Sequence, residues 1–199
     1  MSNTGIFTTN DINELSSFGQ WSGSGGQLEL IQTIEHQANV THFDFVNIKE
    51  DIYNVHFLTF NNLQTPTVSN YVEIRLSNDN GSTFETSNYD RGIQYGGING
   101  TFGESKSTTA QEFGVLSYTT ANNSKNGYVY LYNLGSDDKH SYITHHSPIG
   151  VENSTTGWFY FGSQQYMTAE KIDAIRVLNS GSNIQFSSGS MSLYGIRYS

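Results

Sequence analysis

Apolar side chains recur at alternate positions through much of this chain after residue 27. The cleanest case is YVEIRLS, residues 71–77, where Val72, Ile74 and Leu76 alternate with Glu73 and Arg75. A period of two sends successive side chains to opposite faces, so the pattern predicts a strand with one buried face. THFDFV (41–46) sets Phe43 and Phe45 against His42 and Asp44. IYNVHFLTF (52–60) sets Tyr53, Val55, Phe57 and Thr59 against Ile52, Asn54, His56, Leu58 and Phe60. LELIQTIE (28–35) alternates through Leu28, Leu30 and Thr33, with one irregularity at Ile31. Further strands are predicted over 112–120, 127–134, 141–146, 157–167, 173–179, 184–188 and 190–198. About ten strands separated by Gly/Asn/Ser turns predict an all-β antiparallel sandwich of jelly-roll type. The best helical signal is weak, a single turn in MTAEKIDAI (167–175) capped by Thr168. The polar, Gly-rich segments 96–111 and 147–156 read as long loops, either mobile or used as interaction surfaces.

Residues 1–26 break the rhythm. SSFGQWSGSGG is Ser- and Gly-rich around Phe18 and Trp21, and Gly23-Ser24-Gly25-Gly26 has the chemistry of a flexible linker. The chain therefore divides into an N-terminal arm and Gly/Ser linker (1–26) and a jelly-roll-like β-sandwich (27–199). Two readings of the arm compete: a frayed terminus, or a segment docking on a neighbouring subunit through Ile6, Phe7, Phe18 and Trp21. Large apolar side chains on a flexible segment gain by burial, which tips the balance toward docking.

Composition narrows the function classes. Charged residues are 14% of the chain, against roughly 25% in an average soluble domain. The shortage of Ala, Leu, Glu and Lys and the wealth of aromatic, Gly, Asn, Ser and Thr residues agree with β-structure. Cysteine is absent, which excludes thiol nucleophiles, thiolate metal sites and disulfides. A net charge of −9, with nine scattered Lys and Arg, argues against a nucleic-acid surface. The start MSNTGIFTTNDINEL carries neither a basic segment nor an apolar run, so no signal peptide and no membrane partner are expected.

The candidate chemistry is sparse. SNDNGSTF (77–84) follows a predicted strand and places Asp79, Gly81 and Thr83 at alternate positions. Asp79 is suited to accept from the turn's own amides and Gly81 to take a positive φ, so the motif reads as a structural turn. Its spacing resembles the Asp-box of sialidases, a folding element. A calcium loop of the EF-hand type fails for want of the later acidic ligand. Neighbouring His145 and His146 would point to opposite faces of a strand, and His140 lies about 20 Å from His146 along it, so no metal site is expected. Asp137-Asp138 reads as a solvated turn, and no GxSxG, HExxH, P-loop or GxGxxG motif occurs in its required context. No catalytic residue and no cofactor are expected. Exposed aromatics are the remaining clue. GYVYLYN puts Tyr128, Tyr130 and Tyr132 on one face, and GWFYF puts Trp158 and Tyr160 opposite Phe159 and Phe161. One such stripe would face the core, the other a subunit interface or a sugar-stacking platform.

Three motifs in order carry a resemblance. Arg75, Ser77, Asp79, Gly81, Ser82, Thr83 and Phe84 form an R-x-S-x-D-x-G-S-T-F hairpin. Gly127, Val129, Leu131 and Tyr132 form a second motif, and Gly189, Met191, Leu193, Tyr194, Gly195 and Ile196 a third. Over residues 28–199 the chain resembles a jelly-roll-like structural domain of tailed-bacteriophage virions, common in marine and cyanobacterial phages. The resemblance implies a non-enzymatic capsid decoration or cement protein that is often a homotrimer. Its implied partners are the major capsid protein or tail components, and its implied location is the virion. A tail or fibre component whose sandwich binds a surface glycan is the alternative.

Overall fold

The computed structural model describes residues 28–37, 40–65, 70–119, 124–149, 157–180 and 185–197. The arm positions Ile6, Phe7, Phe18 and Trp21 lie outside them. Among the described residues the chain forms twelve strands and no helix. They are β1 (Leu28–Glu35), β2 (His42–Val46), β3 (Val55–Gln64), β4 (Asn70–Ser77), β5 (Tyr89–Gly97), β6 (Phe102–Ala110), β7 (Phe113–Thr119), β8 (Lys125–Tyr132), β9 (His140–Ile149), β10 (Trp158–Ala169), β11 (Ala174–Asn179) and β12 (Ser188–Ile196).

The pairing is nested. β5 pairs with β6, β4 with β7, β2 with β11 and β1 with β12, all antiparallel. In this scheme β3 would meet β10, and there the hairpin β8–β9 is interposed. The chain is thus one long hairpin folded over on itself, with successive strands of each arm alternating between two sheets. That is the jelly roll, extended here by β1–β12 and by the inserted hairpin. The larger sheet runs β1-β12-β3-β8-β9-β10-β5-β6 and the smaller β2-β11-β4-β7.

The core lies between them. Phe43, Phe45, Val72, Ile74, Leu76, Ile175 and Val177 of the small sheet face Leu58, Phe60, Val129, Leu131, Ile143, Met191 and Leu193 of the large one. The periodicity of β2 and β4 is therefore realised with the predicted faces. At Ile31 the register of β1 against β12 shifts between Leu30 and Gln32. This bulge lets Leu28, Leu30 and Thr33 share the outer face while Ile31 and Ile34 pack against the core.

Several expectations are corrected. Segment 96–111 is not a long loop: a tight turn, with Gly97 N–H donating to Thr101 C=O at 2.7 Å, leads into β6. β6 is an edge strand and largely exposed, so it carries no apolar alternation to betray it. β5 was also not anticipated, because Gly92 and Gly96 occupy its outward positions. The predicted strand 52–60 begins only at Val55, since Ile52 and Tyr53 donate to Lys49 C=O in a turn. Residues 185–187 lie outside any strand, although Phe186 is buried and Ser188 opens β12. Met167–Ala169 ends β10, so no helical turn starts at Thr168. Ser147–Ile149 belongs to β9, and 150–156 lie outside the described residues.

β7 is stitched to the large sheet by side chains. Its register against β4 jumps from Ile74↔Phe113 to Val72↔Ser117, so residues 114–116 bulge opposite Glu73. The Gln164 amide of β10 takes over the lost ladder bonds, accepting from Gly114 N–H and donating to Gly114 C=O, both at 2.9 Å. Ser147 of β9 donates to Leu116 C=O at 2.7 Å.

Candidate functional site: the outer face of the large sheet

The inward positions of β8 are Val129 and Leu131, which are fully buried, so Tyr128, Tyr130 and Tyr132 stand on the outer face. Register extends that face across the sheet. Tyr194 of β12 lies beside Phe57 of β3, which lies beside Tyr130 of β8 and then Thr144 of β9. One row further along, Thr59, Tyr128, His146 and Phe161 are neighbours on successive strands. The rings touch: Phe57 is 4.7 Å from Tyr130, 5.8 Å from Tyr128 and 6.1 Å from Tyr194 between centroids, and Tyr128 is 5.9 Å from His146. Leu28 and Leu30 continue the surface at the β1 edge, in register with Ile196 and Tyr194 and about half exposed. Among the described residues, the outward positions of the alternating stretches of β3, β8, β9 and β10 hold no Asp, Glu, Lys or Arg. The inserted hairpin β8–β9 supplies the tyrosine part of this face.

Beyond β10 the face sinks into a groove. The outward residues of β5 are Asp90, Gly92, Gln94 and Gly96, and from Gly92 on β5 forms a floor between Phe159 and Phe161 of β10 and Phe102 and Glu104 of β6. Two adjoining depressions of about 450 and 380 Å³ share Gln94, Glu104 and Phe161. Phe102 is 74% exposed, and Phe159 and Phe161 lie 6.0 Å apart at 19° between planes. Reading 96–111 as a loop concealed this site from the sequence. The run of four aromatics in GWFYFGS, which sends Phe159 and Phe161 to the face opposite Trp158 and Tyr160, was its signal.

The histidines divide as the strand period demands. His145 faces inward and is buried, His146 faces outward, and His140 shares the outer face and bonds Gln165. Burial, then the neighbouring His146, pulls His145 down to about 4, so its ring is neutral at pH 7. Among the described residues no three His, Cys, Asp or Glu come together as a metal site. No helix there is long and apolar enough to cross a membrane.

The turn after β4 lies far from this face in the chain's architecture, joining β4 of the small sheet to β5. Asp79 accepts from Thr83 N–H at 2.8 Å and Thr83 Oγ1–H at 2.6 Å, and from Ser77 Oγ–H at 2.8 Å. The Thr83 hydroxyl and amide, with Ser77, hold its carboxyl below the usual range. Asn80 and Gly81 both take positive φ, 58° and 80°, and a Cβ at Gly81 would meet Val46 Cγ1 at 2.9 Å. Phe84 lies under Arg176, whose guanidinium grips Asp44 with two bonds of 2.7 Å. Every polar partner of Asp79 belongs to its own turn. We expect Asp79→Ala to lower the melting temperature by several degrees while leaving the behaviour of the outer face unchanged, as read by circular-dichroism melts beside a binding or sedimentation assay. The Asp138 carboxylate accepts similarly from Ser136 Oγ at 2.6 Å.

Fold and face define a jelly-roll β-sandwich whose larger sheet presents an aromatic outer surface, uncharged on β3, β8, β9 and β10 among the described residues. No family model, curated protein or solved structure matches the chain.

Proposed function

We propose that this protein is a non-enzymatic structural component of a tailed-phage virion, most readily a capsid decoration or cement subunit, acting through contacts of its outer sheet face. The observation that carries the reading is the aromatic surface from Tyr194 through Phe57 to Tyr128 and Tyr130, free of ionised Asp, Glu, Lys and Arg on its central strands. Surfaces depleted of charge and enriched in Tyr and Phe are typical of the buried centres of interfaces, where desolvation is cheap and ring area is large. The three sequence motifs add support: the second is β8 and the third β12, the two strands that flank β3. Their opening glycines have a structural reason. β3 is irregular near Asn61 and Asn62, and a Cβ on Gly127 or Gly189 would come within 2.8 Å of Phe60, Leu63 or Asn62.

The test is a charge placed in the centre of the face. Tyr130→Asp should still fold, with a melting temperature lowered by a few degrees through loss of the Phe57 ring contact, because Tyr130 lies on the outer side of the sheet. It should convert a self-associating species, trimeric by the resemblance, into a monomer in sedimentation velocity, and abolish retention on emptied phage heads or tails. If the wild-type chain stays monomeric at high micromolar concentration and neither heads nor tails retain it, the proposal fails. A second reading, a glycan-binding tail or fibre module, is favoured by the groove over β5.

A further inference from the structure

We infer that the groove over β5 is a binding site for an uncharged oligosaccharide. The inference rests on the glycan-binding reading just given and supplies its site. The first ground is Gly92. Glycine inside a strand weakens it, so its presence there needs a reason. Backbone conformation gives none, since Gly92 has no positive φ, and crowding gives none either. A Cβ built on Gly92 would meet only Ser163 C=O, at 3.8 Å, an ordinary contact. The glycine is therefore spare as far as the fold is concerned, and what it does is keep the floor low. Gly96 differs, because the rings of Phe159 and Phe102 already lie over it, within 2.6 and 2.8 Å of where a Cβ would stand.

The second ground is the lining. Phenylalanine rings on β10 and β6 wall the groove at one end, and the Gln94 amide stands exposed in its floor. Aromatic rings take the C–H faces of sugar rings, and an amide gives both donor and acceptor to hydroxyls. Among the described residues, the ions lining the two depressions are Glu104 and Lys106, which pair with each other at 3.3 Å and offset one another, and Asp90 at the next outward position of β5 adds only negative charge, so the site offers an anion no free counter-charge. A chain of net charge −9 adds repulsion against polyanions. An extended peptide is poorly served too. β5 is paired on both sides, by β10 and β6, so the floor has no free backbone ladder to extend. The floor lies open to solvent from Gly92 to Gln94, about 7 Å at 3.3 Å per residue, and ends under the Phe159 and Phe102 rings at Gly96, which suits a short stretch of polymer.

Titration calorimetry of the full chain tests this, with soluble oligomers of two to six units of glucose, mannose, galactose or N-acetylglucosamine as probes. At least one series should bind saturably. Gly92→Leu, whose Cβ meets nothing closer than Ser163 C=O at 3.8 Å, raises the floor and should weaken that binding at least tenfold at an unchanged or raised melting temperature. Phe161→Ala should weaken it comparably. Saturable binding that both variants retain overturns the groove and leaves glycan recognition to another surface. No binding of any probe by the wild-type chain at millimolar sugar overturns the groove and the glycan reading together, while the virion-assembly reading keeps its own test.

Discussion

Gln164→Leu should cost about 3–4 kcal/mol of folding stability, among the largest losses a single polar side chain of this protein can cause. The reason is the bulge in β7. Residues 114–116 face a single residue of β4, so Gly114 has no β4 neighbour for its N–H and C=O. Gln164 reaches across from β10 and satisfies both with 2.9 Å bonds, in a region where its own side chain is 2% exposed. A leucine of similar volume leaves that donor and acceptor buried and unmet, at roughly 1–3 kcal/mol for each. The strand cannot slide to recover the bonds. A Cβ at Gly114 would already stand 2.5 Å from an Arg91 guanidinium nitrogen and 3.7 Å from Glu73 Oε1. Urea unfolding reads the effect as a fall in midpoint at an unchanged slope. A loss under 1 kcal/mol would show that the β7 edge is held by other contacts.

That clamp also shows where sequence pattern runs out. β4 was legible because Val72, Ile74 and Leu76 are buried while Glu73 and Arg75 offer a polar contrast. The irregularity at Ile31 was visible for the same reason, since a bulge shifts the apolar phase by one residue. β5 and β6 were not legible, because one carries glycine on its outer positions and the other is an edge strand with little to bury. Without them the groove had no walls. The tyrosine stripe of β8 posed a different difficulty. Val129 and Leu131 alternate with Tyr128, Tyr130 and Tyr132, so both faces are apolar and the period separates them without saying which is inside. Only the pairing of β8 between β3 and β9 decides it. The Asp79 turn was legible in type because its partners are local in sequence, whereas Gln164 and Gly114 are 50 residues apart.

The same reasoning extends to the hairpin insertion. A jelly roll without β8 and β9 would pair β3 with β10 and bring Phe57 beside the Phe159–Phe161 wall. Inserting two strands widens the large sheet to eight against four and adds Tyr128, Tyr130, Tyr132, Tyr142 and His146 to its outer side. The inner side of the hairpin adds Val129, Leu131 and Ile143 to the core. Its outer side adds aromatics that the proposed contact face assigns to recognition.

Lys125→Met should stabilise the protein by about 2 kcal/mol at pH 7 and flatten its stability between pH 8 and 9.5. Lys125 opens β8, is fully buried, and its one described bond runs 3.3 Å to Asn179 Oδ1 at the end of β11. Among the described residues no carboxylate offsets its charge, and burial pulls its pKa from 10.5 down to about 8. Between those two values the unfolded chain binds the proton that the folded chain has released, so stability rises with pH across this window. Below pH 8 both states are charged, and the full cost of burying the ammonium, roughly 3 kcal/mol, is present. Methionine removes that cost, fills similar space with apolar atoms, and loses one hydrogen bond of about 1 kcal/mol. The window ends near pH 10, where Tyr89 and Tyr166, raised chiefly by burial, begin to favour unfolding as their unfolded-state hydroxyls ionise. Glu73, raised to about 7 by burial and by Glu112, acts lower: it stabilises as pH falls from 7 toward 4.5, against the opposite effect of His145 between 6.5 and 4. The alkaline limb between pH 8 and 9.5 therefore belongs to Lys125. Urea midpoints of wild type and variant at pH 7, 8, 9 and 9.5 decide the matter. Parallel curves would mean that the Lys125 amine reaches solvent, and that its charge is never stripped of water on folding.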